Sequence, residues 1–221
     1  MKMSTFDREN GTDVSEEELF RHYQAQYAET EPTHIANRLG LPFDYIFERF
    51  SVSFMGKEYY VSHPGMRIEA ADGEDPYRFE NLPSGRILIG RYLLHATVFP
   101  QNGEFIAFRE LPSGEVYARQ FEKRCLSRLA RRFGSHLDEF GDIMEYIGAE
   151  HIHGADEAWE FEFLDGLSIR FLFWRGDEEF APTAQILFSS NFPAAFGTYD
   201  LAEIIDTCME AFENVLQYLK K

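Results

Sequence analysis

Cysteine is scarce: Cys125 and Cys208 are the two thiols in 221 residues. Two thiols alone cannot build a four-ligand zinc site or an iron–sulfur cluster. Both fall on predicted helices among apolar neighbours, where free cysteines are ordinarily buried. Long apolar runs are missing too. No stretch approaches the roughly 18 residues of a membrane span, and the opening MKMSTFDRENGTDVSEEE holds no apolar signal-peptide core, so the expected location is the cytoplasm. Basic residues are few: 21 Lys and Arg stand against 38 Asp and Glu, a formal net charge of −17. A surface of that sign repels a phosphate backbone and an anionic bilayer, so neither nucleic acid nor membrane is expected as a partner. Without a Gly-rich phosphate loop, a G-x-S-x-G elbow or an H-E-x-x-H pair, no cofactor and no metal are implied.

Aromatic residues are abundant. With 22 Phe and 11 Tyr, the chain can fill a substantial core. The length suits one domain, expected over 15–221 behind a flexible polar segment, 1–14. A helix begins at Ser15, which forms a capping box with Glu18, and buries Leu19, Tyr23 and Tyr27. THIANRLG reads as a short helix capped by Thr33 and stopped by Gly40. From Asp44 to Ala70 the period changes to two: Phe50, Val52 and Phe54 alternate with Ser51 and Ser53. RILIGRYLLHATVF reads as a buried helix. EFIAFRELPSGEVY reads as a strand followed by a Pro-Ser-Gly turn.

Ala118 to Phe133 forms an amphipathic helix ended by Gly134, and Ser135 caps the next, which stops at Gly148. In EAWEFEFLDGLSIRFLFW, alternation on both sides of Asp165-Gly166 marks a hairpin. TAQILFS adds a third strand. Leu201, Ile204, Ile205, Cys208, Phe212 and Leu216 mark one face of a long helix starting near Thr198. Helices and strands come in groups without regular alternation. The expected fold is therefore α+β, with antiparallel sheet packed against several helices and a long C-terminal helix.

FIAFRELPSGEVY, ADEAWEFEF and FLFWRGDEEFAPTAQILF, together with RYLLHA and HIANRLG, resemble a prokaryotic family catalogued as domain of unknown function 3786. The resemblance implies a bacterial protein of anaerobic metabolism. Some relatives carry an added iron–sulfur segment, for which this chain has no cysteine array. It implies no activity and no catalytic residues. Where the family pattern has an Asp soon after ILF, this chain has Ser189 and Ser190, which removes an oxygen donor from any metal role drawn by analogy.

Several constellations admit both a chemical and a structural reading. Asp177, Glu178 and Glu179 sit between two strand-like runs. They could offer oxygens to a hard cation, pair with Arg109 or Arg175, or simply form a solvated turn, the favoured reading. Arg109 and Glu110 stand at a strand end. Arg109 could grip a carboxylate or phosphate bidentately, or close an internal salt bridge. Arg91 and His95 share a helix face at i, i+4. His95 could be an acid, a base or a ligand, and a hydrogen-bonded core histidine is the favoured alternative. His151 and His153 would point the same way on an extended segment, but lack a nearby third histidine. The helix from Ala118 carries Arg119, Lys123, Arg124, Arg128, Arg131 and Arg132. That face could receive a small anionic ligand or an acidic protein partner, or neutralise the chain's own carboxylates.

Two functional expectations follow. One is a ligand-binding or accessory protein with Trp174, Arg109 and the acidic turn at its rim. The other is an enzyme on an anionic small molecule, with His95 or Glu110 as acid–base and Arg109 as clamp. The candidate ligand-binding residues are Arg91, His95, Arg109, Glu110, Trp174, Asp177 and Glu179.

Overall fold

The computed structural model describes residues 4–7 and 12–220, with side chains described from Ser15 onward. Within the expected N-terminal flexible segment, β1 (Ser4–Asp7) pairs antiparallel with β2 (Thr12–Ser15), and its remaining positions lie outside the described residues. The chain forms two compact units. The first runs to Val52 and resumes over Glu58–Thr97; the second comprises Ser53–Lys57 and the chain from Val98 on.

In the first unit, α1 (Glu16–Glu29) starts with the expected capping box. The Glu18 N–H donates to Ser15 Oγ at 3.3 Å, and the Ser15 N–H donates to Glu18 Oε2 at 3.0 Å. These bonds satisfy two donors that a helix start would leave open. α2 (Pro32–Leu39) has Glu31, not Thr33, at its N-cap position, with no side-chain cap bond, because Pro32 fits the first helical position, where no N–H bond is needed. β3 (Phe43–Asp44), β4 (Arg49–Phe54), β5 (Lys57–Ser62) and β6 (Ile68–Ala70) follow, with β3 antiparallel to β4 and β5 to β6. Phe50, Val52 and Phe54 of β4 are buried, while Arg49, Ser51 and Ser53, which alternate with them, are partly exposed, as the period of two requires. α3 (Pro83–His95) starts three residues earlier than the sequence pattern suggested and stops at His95, so Ala96–Phe99 are not helical.

In the second unit, β7 (Phe105–Ala107) leads into a 3-10 turn over Phe108–Glu110. The helix expected from Ala118 begins earlier, as α4 (Gly114–Phe121). It passes through a π-helical turn, Glu122–Leu126, and continues as α5 (Ser127–Phe133). α6 (Leu137–Tyr146) has His136 at its N-cap, not Ser135, and no side-chain cap bond. Then come β8 (Glu150–His151), β9 (Glu157–Leu164), β10 (Leu167–Trp174), β11 (Thr183–Ser189), α7 (Phe192–Ala195) and α8 (Thr198–Leu219). The strands lie in the order β9-β10-β11-β7, with β8 also on β9, all antiparallel. Gly166 adopts φ +75° in the β9–β10 turn, a conformation that favours glycine. Phe140 packs its ring against Phe133, Phe171, Phe173 and Phe212.

The tip of the β4–β5 hairpin belongs to this second unit. Phe54 stands opposite Leu164, and the Met55 N–H donates to the Phe163 carbonyl at 3.1 Å. Gly56 takes φ +76° so close to Ile147 that a Cβ would lie 2.0 Å from its carbonyl oxygen. Both constraints require glycine there.

Candidate functional site

β11 has seven residues, but β7 pairs with only Leu187, Phe188 and Ser189. The chain leaves the sheet at Phe108 because its 3-10 turn is pinned. Glu110 Oε2 accepts from the Ala107 N–H at 2.6 Å, and a Cβ on Gly114 would lie 2.0 Å from the Phe108 carbonyl oxygen. Among the described residues, Thr183–Ile186 therefore have β10 on one side and no strand on the other.

A groove of about 510 Å3 runs along this stretch, bounded by Phe108 and Arg109, by α4, the π-helical turn and α5, and by Pro182–Ile186 of the strand. Its walls are mixed. Phe108 and Phe121 stack at 3.9 Å between centroids, and Ile186 adds an aliphatic face. Arg109 and Glu122 are its charged residues. The π-helical turn widens the helix by about one residue at the groove, a distortion frequent at functional sites.

The basic helix divides into two stripes. Arg124 and Arg128 both bind Asp206 of α8, with Arg124 Nε at 2.7 Å from Oδ2 and Arg128 Nη1 at 2.8 Å from Oδ1. Arg132 donates to both oxygens of Glu213 and reaches Glu139 at 3.3 Å. This stripe neutralises the chain's own acids. Arg119, Lys123 and Arg131 are exposed, and among the described residues they form no ion pair. The same holds for exposed Arg109, which closes no internal salt bridge.

The other candidates separate into smaller sets. Arg91 is buried, and its Nε donates to the Tyr23 hydroxyl at 2.9 Å. His95 is exposed at the end of α3 with its ring edge-on to Tyr23 at 6.1 Å. The core-histidine reading fails because the helix ends there, leaving the ring at the solvent side. Trp174 closes β10 and is 39% exposed, paired in register with Thr183.

Asp177 organises its own turn. Its Oδ1 accepts from the N–H groups of Glu179 and Phe180, each at 2.8 Å, and its N–H donates to the Phe180 carbonyl at 2.9 Å. Those two N–H bonds hold its carboxyl below the usual aspartate range. Among the described residues, neither Arg109 nor Arg175 pairs with Asp177, Glu178 or Glu179, so the ion-pair reading of the turn fails. The carboxylates instead border a separate recess of about 480 Å3 that includes Arg175 and Asp138. The turn is explained by local backbone bonding at exposed positions.

His151 approaches Glu157 at 3.2 Å, and its ring meets Trp159 edge-on. Among the described residues, no three His, Cys, Asp or Glu side chains are grouped to hold a metal ion. Both thiols are buried, and burial pushes the Cys125 thiol up to about 12. Among the described residues, no helix is long and apolar enough to cross a membrane.

The groove was not legible from the sequence. Of its two charged residues, Arg109 and Glu122, the sequence pattern marks Arg109 alone. The early exit of β7 has a signal in LPSG, but that motif reads equally as an ordinary turn.

The family described as domain of unknown function DUF3786 matches residues 31–211, and the chain belongs to that family. Comparisons with curated proteins and with solved structures gave no match.

Proposed function

We propose that this family member is a binding or accessory protein that holds a carboxylate-bearing partner in the groove beside β11, with no turnover of its own. The observation that carries this reading is Arg109: in a chain of net charge −17, an exposed guanidinium without an ion pair among the described residues lines a half-apolar groove. Guanidinium and carboxylate geometries match bidentately, and the apolar walls lower the local dielectric. Glu110 serves the fold by accepting from the Ala107 N–H. A setting in anaerobic metabolism is part of this proposal and rests on the sequence resemblance alone, not on the site.

The test is calorimetric titration with mono-, di- and tricarboxylates and with short acidic peptides, run beside native mass spectrometry of protein purified without oxygen. Binding is expected to be at least ten-fold weaker in Arg109→Ala, with Tm unchanged because the side chain is exposed. Consumption of a ligand over time would favour the enzyme reading. Binding indifferent to Arg109 would move the site elsewhere.

A further inference from the structure

We infer that the occupant of this groove is an extended acidic segment of another polypeptide, added as a strand to the open stretch of β11. The inference rests on the groove being the binding site. In an antiparallel ladder, alternate residues turn both N–H and C=O to the same side. Of Thr183–Ile186, two residues therefore direct their backbone groups to the side that β7 vacates. The vacancy is built in, since the bond from the Ala107 N–H to Glu110 and the contact of Gly114 with Phe108 prevent β7 from continuing.

Natural sheets usually block an exposed edge. Here α4, the π-helical turn and α5 border it, yet leave about 510 Å3 beside it. Four residues of strand span roughly 14 Å. An added strand would set alternate side chains against Phe108, Phe121 and Ile186, and the others towards the helix rim. Backbone pairing supplies affinity in this mode, and side-chain pockets supply selectivity.

Charge selects the partner. Arg119, Lys123 and Arg131 are exposed on the helix that borders the groove, although the polar residues of that helix lining the groove itself are Glu122 and Ser127. Arg109 adds a cation at one end. With Arg124, Arg128 and Arg132 engaged by Asp206, Glu213 and Glu139, the cations of this helix without an ion pair among the described residues are Arg119, Lys123 and Arg131. An acidic segment is repelled by most of this chain's surface and attracted here. A second copy pairing β11 to β11 would bring two Arg109 side chains together without supplying the acidic side chains they attract, which like-charge repulsion opposes.

The experiment uses the full chain and a fluorescein-labelled octapeptide of alternating Glu and Val, beside the same peptide N-methylated at alternate amides. Fluorescence anisotropy should show binding of the first and at least ten-fold weaker binding of the second. Hydrogen exchange at 183–186 should slow when the unmethylated peptide is added, and Arg109→Glu should weaken binding at least ten-fold with Tm unchanged. Equal binding of the two peptides, or of a short single-stranded oligonucleotide, would overturn strand addition. So would binding of free dicarboxylate without the peptide, which would leave the groove as an anion site. No binding of peptide or carboxylate would remove both readings. A concentration-dependent dimer protecting 183–186 without peptide would replace the acidic partner with a second copy.

Discussion

The two units use different aromatic residues to solve the same packing problem. In the first unit Tyr23, Tyr27, Tyr59, Tyr77 and Tyr92 are all buried. In the second unit the described tyrosines stay at least partly exposed, and the interior belongs to phenylalanines centred on Phe140, Phe171 and Phe212. A buried phenol needs a partner for its hydroxyl, whereas a buried phenyl needs only shape. The first unit accordingly ties rings to polar groups. Arg91 donates to Tyr23, and Tyr59 donates to Asp75 Oδ1 at 2.7 Å. Burial, with that bond second, holds the Tyr59 phenol protonated far above its usual range. The second unit holds its phenylalanine core by complementarity of rings. The first unit buries Phe20, Phe50 and Phe79 as well, so what sets it apart is the added pairing of some of its phenols.

The largest test of that contrast is Phe140→Ala. Its ring meets four other phenylalanines, so truncation should cost about 3–5 kcal/mol through lost burial and the cavity left behind. A fall in Tm on the order of 10 °C is expected in calorimetry; a loss below about 1 kcal/mol would show that this core repacks freely. Next is Tyr59→Phe, which keeps the ring but deprives Asp75 of a donor. Chemical denaturation should report a loss of about 1–3 kcal/mol, and no loss would mean that pairing does not specify the first unit. The smallest effect is expected for Tyr27→Phe. The Tyr27 hydroxyl is buried with no hydrogen-bond partner among the described residues, and burial raises its phenol well above the usual range. Removing it should leave stability within about 0.5 kcal/mol or improve it. A loss like that of Tyr59→Phe would erase the distinction between partnered and orphaned phenols.

Local signals were legible where the chemistry is local. The Ser15 and Glu18 capping box, the Asp165-Gly166 hairpin and the apolar face of α8 all stand in the structure as the sequence implied. Misreadings arose where two local codes compete. Pro112 and Ser113 do form the expected turn, closed by the Gly114 N–H donating to the Leu111 carbonyl at 2.8 Å, but Gly114 then opens a helix four residues before the one the pattern marks at Ala118. Thr33 is a better intrinsic cap than Glu31, but Pro32 between them fixes the start. The exposure of His95 depends on where α3 stops, and apolar Ala96–Phe99 gave no stop signal. Of the site, Arg109 was visible as a residue, but the groove depends on how far β7 runs beside β11. That is a long-range property with no periodic signature. The cationic helix was visible too, while its division into paired and unpaired stripes depends on Asp206 and Glu213, some 80 positions away.

The hairpin tip at Ser53–Lys57 bears on heredity. The chain visits the second unit for these five residues, returns to the first and comes back at Val98. No single cut therefore yields both units whole. A gene fragment beginning at Val98 would encode β9 without Phe54 opposite Leu164, and Ile147 without the glycine shaped to meet it. A transplant of the second unit would have to carry Ser53–Lys57 along with the chain from Val98 on.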